Sequence, residues 1–382
     1  MDPIYLDCAA TTPMREEVQE AMAPYLSGVF GNPSSMHSWG RAAAGALEDA
    51  RAEAAAAIGA KHSEVYFVRG GTESDNIALQ GACQALSVTG AVPALVVSAI
   101  EHSAVREASQ HLAQAGRVRL TVLEVAADGS IDLDRAREAL ARGPALMSVM
   151  WVNNETGIVL PVPELASMAG EAGAMMHTDA VQAVGKVPVD VREVAVAMLS
   201  ASGHKLYGPK STGILFVRSG THLSPLIHGG GQERSLRPGT QDVAGAVGMA
   251  RALRLAVEER EAEVARVRAL REAFEGRLLA AIPRARVSGS GAVRAPHISH
   301  LGIPDVPGDT LLMGLDMEGI AASGGSACSS GSNSSSHVVA ALYGPDDGHA
   351  HVRFSLGRMT RAGDLDRAVA AVLRVLDRVV AA

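Results

Sequence analysis

Short apolar segments alternate with helical patterns through most of the first 220 residues of the chain. Segments 94–98 and 145–152 are typical of buried strands, and segments 104–115 and 162–172 show the apolar spacing of helices. Strands joined by helices predict a mostly parallel sheet that is covered on both faces. Ligands of such sheets bind beyond the carboxyl ends of the strands. Further strands are predicted at 64–69, 118–123, 174–177, 194–200 and 213–217, and further helices at 41–58 and 132–141.

The pattern changes after Gly239, where one long helix is predicted over 242–280. The rest of the chain suits a smaller α+β unit that ends in an amphipathic helix. At 382 residues the chain exceeds the size at which a single core keeps growing. We therefore predict a large α/β domain of residues 14–250. Residues 1–13 and 251–382 are predicted to form a small domain, which carries the Gly/Ser-rich segment 323–336 and its single cysteine, Cys328.

Charge and cysteine content exclude several classes of function. The chain has 34 basic and 41 acidic residues, a formal charge of −7, which argues against nucleic acid as a ligand. We find no apolar run of membrane-spanning length and no basic-then-apolar leader, so we expect a cytoplasmic protein that does not bind membranes. Three widely spaced cysteines without a CxxC pair make a zinc knuckle or a disulfide framework implausible.

A glycine-rich turn, Gly70-Gly71-Thr72, lies between the predicted strand 64–69 and an apolar helix. The N-terminus of a helix presents N–H groups and a positive dipole end, so this turn suits an anion and, best of all, a phosphate. The alternative is an ordinary helix cap by Thr72, with Asp75 completing a capping box. The turn is neither a GxGxxG nor a Walker motif, so a nucleotide is not the favoured ligand.

Two more polar residues follow predicted strands. Asp179 can hold a ring nitrogen in its protonated form, although a helix N-cap would also explain it. Lys205 lies in a turn of small residues, where a desolvated amine is a Schiff-base candidate. A solvated surface lysine is the alternative, but only four of the 34 basic residues are lysines. A phosphate site, a carboxylate for a ring nitrogen and an amine together match the needs of pyridoxal 5′-phosphate (PLP). His102 follows another strand and could stack on the ring.

Ten motifs along the chain carry a resemblance to one family. In this order and spacing the sequence resembles the cysteine desulfurases of the NifS/IscS type, in the class V aminotransferase group of fold-type I PLP enzymes. The motifs are YLDCAATTP (5–13), FGNPSSMH (30–37), GTESDN (71–76), EH (101–102), NNETG (153–157), HTDAVQ (177–182), SGHK (202–205), GGGQER (229–234), GSAC (325–328) and RFSLGR (353–358).

The resemblance implies a role for each matching residue. Lys205 would hold the cofactor as a Schiff base, Asp179 would pair with the pyridine nitrogen, and His102 would stack on the ring. The remaining implied cofactor contacts are Gln182 and Asn154 to the ring hydroxyl, Gly71, Thr72, Ser202 and His204 to the phosphate, and Thr240 to the phosphate in a neighbouring subunit of a homodimer. Asn32 and Arg353 would bind the substrate carboxylate, and Cys328 would be the catalytic nucleophile.

The implied reaction converts L-cysteine to L-alanine and leaves the sulfur on Cys328 as a persulfide. An acceptor or iron–sulfur scaffold protein would then take the sulfur for cluster assembly, and Cys328 would transiently ligate a metal in the shared cluster. A selenocysteine lyase, or another class V lyase or aminotransferase, is the alternative enzyme. A third possibility is a platform that only binds sulfur-trafficking proteins. A thiol on a Gly/Ser segment argues for sulfur transfer, since transamination needs no thiol.

Overall fold

The computed structural model describes residues 2–87, 90–324, 336–345 and 347–380. Cys328 and most of the Gly/Ser-rich segment around it lie outside the described residues. Within the described part, no helix combines the length and the apolar character needed to cross a bilayer.

A seven-stranded sheet is the centre of the large domain, as the alternating pattern predicts. Its strands are β2 (Val65–Val68), β3 (Ala94–Ser98), β4 (Arg119–Leu123), β5 (Ala145–Ser148), β6 (Met175–Asp179), β7 (Met198–Ser202) and β8 (Gly213–Val217). They are arranged in the order β2-β8-β7-β6-β5-β3-β4. The four pairings from β7 to β4 are parallel, and only β8 runs against its neighbours. The prediction of a mostly parallel sheet is confirmed.

Helices cover both faces of this sheet. They are α1 (Glu16–Ser27), α2 (Ser38–Ala57), α3 (Gly71–Leu86), α4 (Ser103–Gln114), α5 (Leu133–Leu140), α6 (Val162–Glu171) and α7 (Val243–Glu258). Successive side chains of a strand point to opposite faces. On β3, Leu95 therefore packs with the apolar residues of α3 and α4, while Val96 packs with those of α2, α5, α6 and α7.

The small domain combines both chain ends. It contains β1 (Ile4–Tyr5), α8 (Arg260–Ala281), β9 (Arg286–Val287), β10 (Ile298–Pro304), α9 (Gly308–Met317), β11 (Ile320–Ala321), β12 (His349–Ser355) and α11 (Ala362–Val380). The short helix α10 (His337–Tyr343) was predicted within the small domain, but Val338 and Leu342 pack it on the apolar core of the large domain. Strands β12, β10 and β9 form an antiparallel sheet, and β1 pairs with β11. A separate apolar cluster fills this unit, with Phe274 of α8 and Phe354 of β12 in edge contact at 5.1 Å between ring centroids.

Three sequence predictions differ in detail from the structure. The single helix predicted over 242–280 is two helices that meet at Glu259, because α7 packs on the large-domain core and α8 on the small-domain core. The predicted domain boundary at residue 250 lies inside α7, and Leu253 beyond it still belongs to the large-domain core. The strand predicted at 194–200 begins only at Met198, because the Arg218 guanidinium holds the carbonyls before it in a turn.

Candidate active site

A cavity of about 280 Å³ opens at the carboxyl ends of the parallel strands. Polar residues from the segments after β2, β3, β5, β6 and β7 line it, because the ends of parallel strands meet at one edge of the sheet. Most of the residues predicted from the sequence are brought together here. They are Gly71, Thr72, His102, Asn154, Asp179, Gln182, Ser202, His204, Lys205 and Arg353.

Lys205 ends a short 3₁₀ turn, Gly203–Lys205, directly after β7. Its Nζ donates hydrogen bonds to the carbonyl oxygens of Ala9 and Ala10 at 2.7 and 2.6 Å. The N-terminal segment therefore fixes the position of this amine at the cavity wall. Behind it, Lys186 Nζ donates to the Lys205 carbonyl at 3.1 Å. Of the four lysines, only Lys205 lines the cavity described here.

Asp179 is the last residue of β6 and faces the cavity. Its Oδ1 accepts the Val181 N–H at 2.9 Å, so the turn that follows the strand orients the carboxyl group. Burial raises the pKa of Asp179, and the nearby His102 and Lys205 counteract that rise. This carboxylate thus lacks a fully compensating cation, and a protonated ring nitrogen would supply one.

His102 is the N-cap of α4, and its Nδ1 accepts the Ala104 N–H at 3.1 Å. That bond holds the imidazole ring at the cavity wall, where it can cover a planar ligand. Burial lowers the pKa of His102, so the ring is neutral near pH 7 in this environment. Because Nδ1 accepts, the neutral ring carries its hydrogen on Nε2, so it can stack on a cofactor and donate a hydrogen bond from Nε2.

The cavity also has the donors that a phosphate needs. Gly70, the N-cap of α3, has φ of +115°, a conformation that favours glycine. Gly71 and Thr72 follow in the first turn of α3 and line the cavity together with Ser202 and His204. Burial lowers the pKa of His204 to about 4, so this imidazole would bind an anion as a neutral donor.

The capping interpretation of Thr72 and Asp75 is wrong. Helix α3 has no side-chain cap, and Glu73 accepts the Arg69 N–H at 2.5 Å instead. Asp75 is buried inside the domain, with 1% of its surface exposed. The Thr72 side chain does not cap the helix, so its hydroxyl group can contact a ligand in the cavity.

Arg353, on β12 of the small domain, enters the same cavity. Its guanidinium donates to Asp7 Oδ1 and to the Asn154 carbonyl, both at 2.8 Å, and the residue is 1% exposed. These two hydrogen bonds hold the planar guanidinium group in one orientation. An arginine fixed in this way suits a small carboxylate.

Two predicted residues in the described part of the chain, Asn32 and Thr240, do not line the cavity. Asn32 lies in the loop between α1 and α2, where its Oδ1 accepts the Ser34 N–H at 2.9 Å. Thr240 is exposed in the segment before α7, which leaves its predicted contact with a second subunit as a prediction. Cys328, including its predicted metal contact, lies outside the described residues.

Several cavity residues were not predicted from the sequence. Asp75, Glu155 and His337 line it, and His337 Nε2 contacts the Glu101 carbonyl at 2.9 Å. Glu155 lies within the NNETG motif and Asp75 within GTESDN, so the motifs contained a signal. No sequence motif pointed to His337, because only the packing of α10 brings this residue to the cavity.

Comparison with known proteins decides the family. The model of the family described as "Aminotransferase class-V" matches residues 4–368, which includes every described element that lines the cavity. The chain belongs to the class V aminotransferase family. Among curated class V relatives, the chain is 43% identical to "Cysteine desulfurase IscS" of Dictyoglomus turgidum, over 98% of this chain and 95% of that one. It is 42% identical to "Cysteine desulfurase NifS" of Azotobacter vinelandii, over 97% and 91%.

Solved structures give the same family. A "NIFS-LIKE PROTEIN" superposes with a TM-score of 0.91 at 31% identity, covering 98% of this chain and all of the other. A structure titled "SspA in complex with cysteine" has a TM-score of 0.78 at 33% identity, covering 92% of this chain and 98% of the other. The fold-type I α/β architecture is thereby confirmed.

PLP is the cofactor of class V aminotransferases, and the cavity fits it. The donors around Thr72 would hold its phosphate, Asp179 would pair with its ring nitrogen, and the Lys205 amine would react with its aldehyde. His102 would cover the ring, and Gln182 and Asn154, which also line the cavity, would contact the ring hydroxyl. The carboxyl group of Asp179 is buried, and its positively charged neighbours compensate its charge only in part. A ligand ring that can be protonated would supply the missing positive charge, whereas a neutral ligand would not.

Replacement of Asp179 by alanine is expected to weaken PLP binding. Removal of one member of a buried ion pair costs about 3–5 kcal/mol, which corresponds to roughly 100-fold or more in the dissociation constant. Titration of cofactor-free protein with PLP measures the effect. Asp134→Ala, at an exposed position in α5, is the control and should bind normally. Normal PLP binding by the Asp179 variant would contradict the pairing.

Proposed function

We propose that this protein is a PLP-dependent cysteine desulfurase, which converts L-cysteine to L-alanine and transfers the sulfur to Cys328. The observation that carries the proposal is that Lys205, Asp179 and Arg353 share one cavity. An amine, a ring-nitrogen carboxylate and a carboxylate-binding arginine are the groups that an amino-acid substrate of PLP requires. The near full-length similarity to cysteine desulfurases supports cysteine as that amino acid.

Substrate orientation comes from Arg353. Its buried guanidinium would bind the carboxylate of cysteine through two parallel hydrogen bonds, and the hydrogen bond to Asp7 would keep the guanidinium group in position. Bound PLP would supply a carbonyl group for the substrate amine and an electron sink for the α-carbon. The Lys205 Nζ, on the cavity wall, would take the α-proton and later return a proton to the product.

Sulfur transfer is assigned to the thiolate of Cys328. It attacks the substrate sulfur, so an S–S bond forms and the Cβ–S bond of the substrate breaks. The remaining three-carbon part of the substrate becomes alanine after protonation, and Cys328 keeps the sulfur as a persulfide. The two cysteines in the described residues are poor candidates for this step. Burial raises the pKa of Cys8 to about 11 and that of Cys83 to about 12, so neither is a thiolate near pH 7.

The protein is further proposed to act as a homodimer in the cytoplasm, with a sulfur-acceptor or iron–sulfur scaffold protein as its partner. Phe30 and Trp39 support a second subunit, since both are more than half exposed and contact each other edge-on at 4.8 Å. A reducing compartment suits an enzyme whose nucleophile is a free thiol.

The test is incubation of the purified protein with L-cysteine, PLP and a thiol reductant, with alanine and sulfide measured together. We expect the two products in equal amounts. Formation of a keto acid without sulfide would identify an aminotransferase instead. Turnover of selenocysteine with negligible release from cysteine would identify the selenocysteine lyase alternative.

Replacement of Arg353 by lysine is expected to reduce kcat/KM for L-cysteine by about 10- to 100-fold. Lysine keeps the positive charge but lacks the planar guanidinium group that can make two parallel hydrogen bonds to a carboxylate. A hydrogen bond to a charged group contributes about 1.5–3 kcal/mol. Steady-state kinetics measure the loss, and PLP content serves as the check that the cavity is intact. Unchanged kcat/KM with full PLP content would remove Arg353 from the substrate site.

A further inference from the structure

A second buried carboxyl group, that of Asp75, meets Asp179 in the cavity. Asp75 comes from the second turn of α3 and is 1% exposed. One oxygen of Asp75, one oxygen of Asp179 and one ring nitrogen of His102 all lie within 4.8 Å of each other. Two carboxyl groups at this separation, away from water, cannot both be ionised without a strong energetic penalty.

Among the described residues, the groups that face Asp75 do not supply a compensating cation. Strand β6 contributes Asp179 and His177, and β7 contributes the Ser200 hydroxyl. The turn after β3 contributes another acid, Glu101, and the His102 ring, whose pKa is lowered by burial. Within the same described part of the chain, the buried Asp75 Oδ1 atom has no hydrogen-bond partner, and His177 Nε2 lies 3.6 Å away.

His177 cannot become that cation. It is completely buried, and its two ring nitrogens lie 2.8 Å from Ser148 Oγ and 3.0 Å from Ser200 Oγ. These three residues come from the adjacent strands β5, β6 and β7. Burial lowers the pKa of His177 to about 3, so the ring is neutral at any working pH.

We propose that Asp75 is held as a neutral carboxylic acid beside an ionised Asp179, so that this pair of carboxyl groups carries a single negative charge. Burial and the charge of Asp179 both raise the pKa of Asp75, in agreement with the geometry. Asp75 is then a positioning residue that acts through Asp179. The functional part of this inference rests on the proposed PLP site, where one protonated ring nitrogen would meet one carboxylate.

The proposal gives Asp75→Asn an unusual pH signature. An acid whose pKa is higher in the folded than in the unfolded state makes stability fall as pH rises above the unfolded value, about 4 for aspartate. Asparagine resembles the protonated acid and has no such proton to lose. The melting temperature of Asp75→Asn, relative to the wild type, should therefore increase between pH 5 and pH 8. A relative melting temperature that falls over this range would overturn the proposal, since it would mean an ionised, paired Asp75.

Glu233→Gln is the matched control, because Glu233 is also a buried acid but is ion-paired, bonding Arg51 at 2.7 and 2.9 Å. This amide substitution should lower the melting temperature at both pH values. The measurements use the full-length protein, with PLP bound and after its removal. Asp75→Ser, which is smaller and also neutral, repeats the test if the asparagine variant does not fold.

An infrared measurement separates a charge effect from a packing effect. At pH 7 the infrared carbonyl absorption of a protonated carboxyl group should decrease in Asp75→Asn relative to the wild type. No change in this absorption would contradict the proposal. The melting and infrared measurements do not depend on desulfuration, so failure of the proposed reaction would be recognised separately.

Discussion

Lys205→Ala is expected to abolish turnover of L-cysteine and the covalent attachment of PLP. The Lys205 Nζ is the lysine amine that the structure places in the cavity, where two carbonyl oxygens of the N-terminal segment hold it. Loss of a positioned proton-transfer group alone costs about 10²–10⁴-fold in rate. Loss of the amine that binds the cofactor adds to that cost. Activity assays and the absorbance of protein-bound PLP measure both effects.

Lys210→Ala is the matched control, since Lys210 is exposed five residues further along the same segment. It should retain PLP and activity. Reduction with borohydride provides the sharper readout, because it links PLP permanently to the lysine that holds it. A borohydride-stable link that persists in Lys205→Ala would transfer the role to another lysine and refute the assignment.

Cys328→Ser is expected to bind PLP normally and to stop catalytic sulfide release. Serine keeps the size of the side chain, but its hydroxyl is a far weaker nucleophile toward sulfur than a thiolate. The cavity residues that would hold PLP and the substrate carboxylate are unchanged, so binding of cysteine should still perturb the absorbance of the cofactor. We expect sulfide release to fall by at least the 10²–10⁴-fold typical of a lost catalytic group.

Cys83→Ala is the control, because Cys83 is 1% exposed in the apolar core and lies outside the cavity lining. Its replacement should cost some stability and leave sulfide release intact. Full activity of Cys328→Ser, or loss of activity in Cys83→Ala with the fold preserved, would assign the sulfur-carrying role elsewhere.

The mostly parallel sheet, and the polar residues that gather at its edge, were predictable from the sequence. Each strand end carries its own signal, such as Asp179 after an apolar strand or Lys205 in a turn of small residues. Parallel strands then bring these ends together without any further information. This is why the motifs spread from residue 71 to residue 205 meet in one cavity.

Long-range packing explains what the sequence did not reveal. His337 reaches the cavity through the docking of α10, and Arg353 is held there by an ion pair with Asp7, 346 residues away in the sequence. The proximity of Asp75 to Asp179 depends on how α3 lies on the sheet, and a one-dimensional pattern does not encode that distance. The break between α7 and α8 was missed for a related reason. The apolar spacing of the sequence continues through both helices, but α7 packs on one apolar core and α8 on the other.

The most direct test of the central claim is the mass of the intact protein after a brief pulse of L-cysteine without reductant, together with the alanine released. A desulfurase that carries sulfur on Cys328 should gain one sulfur atom per chain, located on the peptide that contains Cys328, and should release one alanine for each sulfur gained. Alanine without protein-bound sulfur, or sulfur on Cys8 or Cys83 instead, would contradict it.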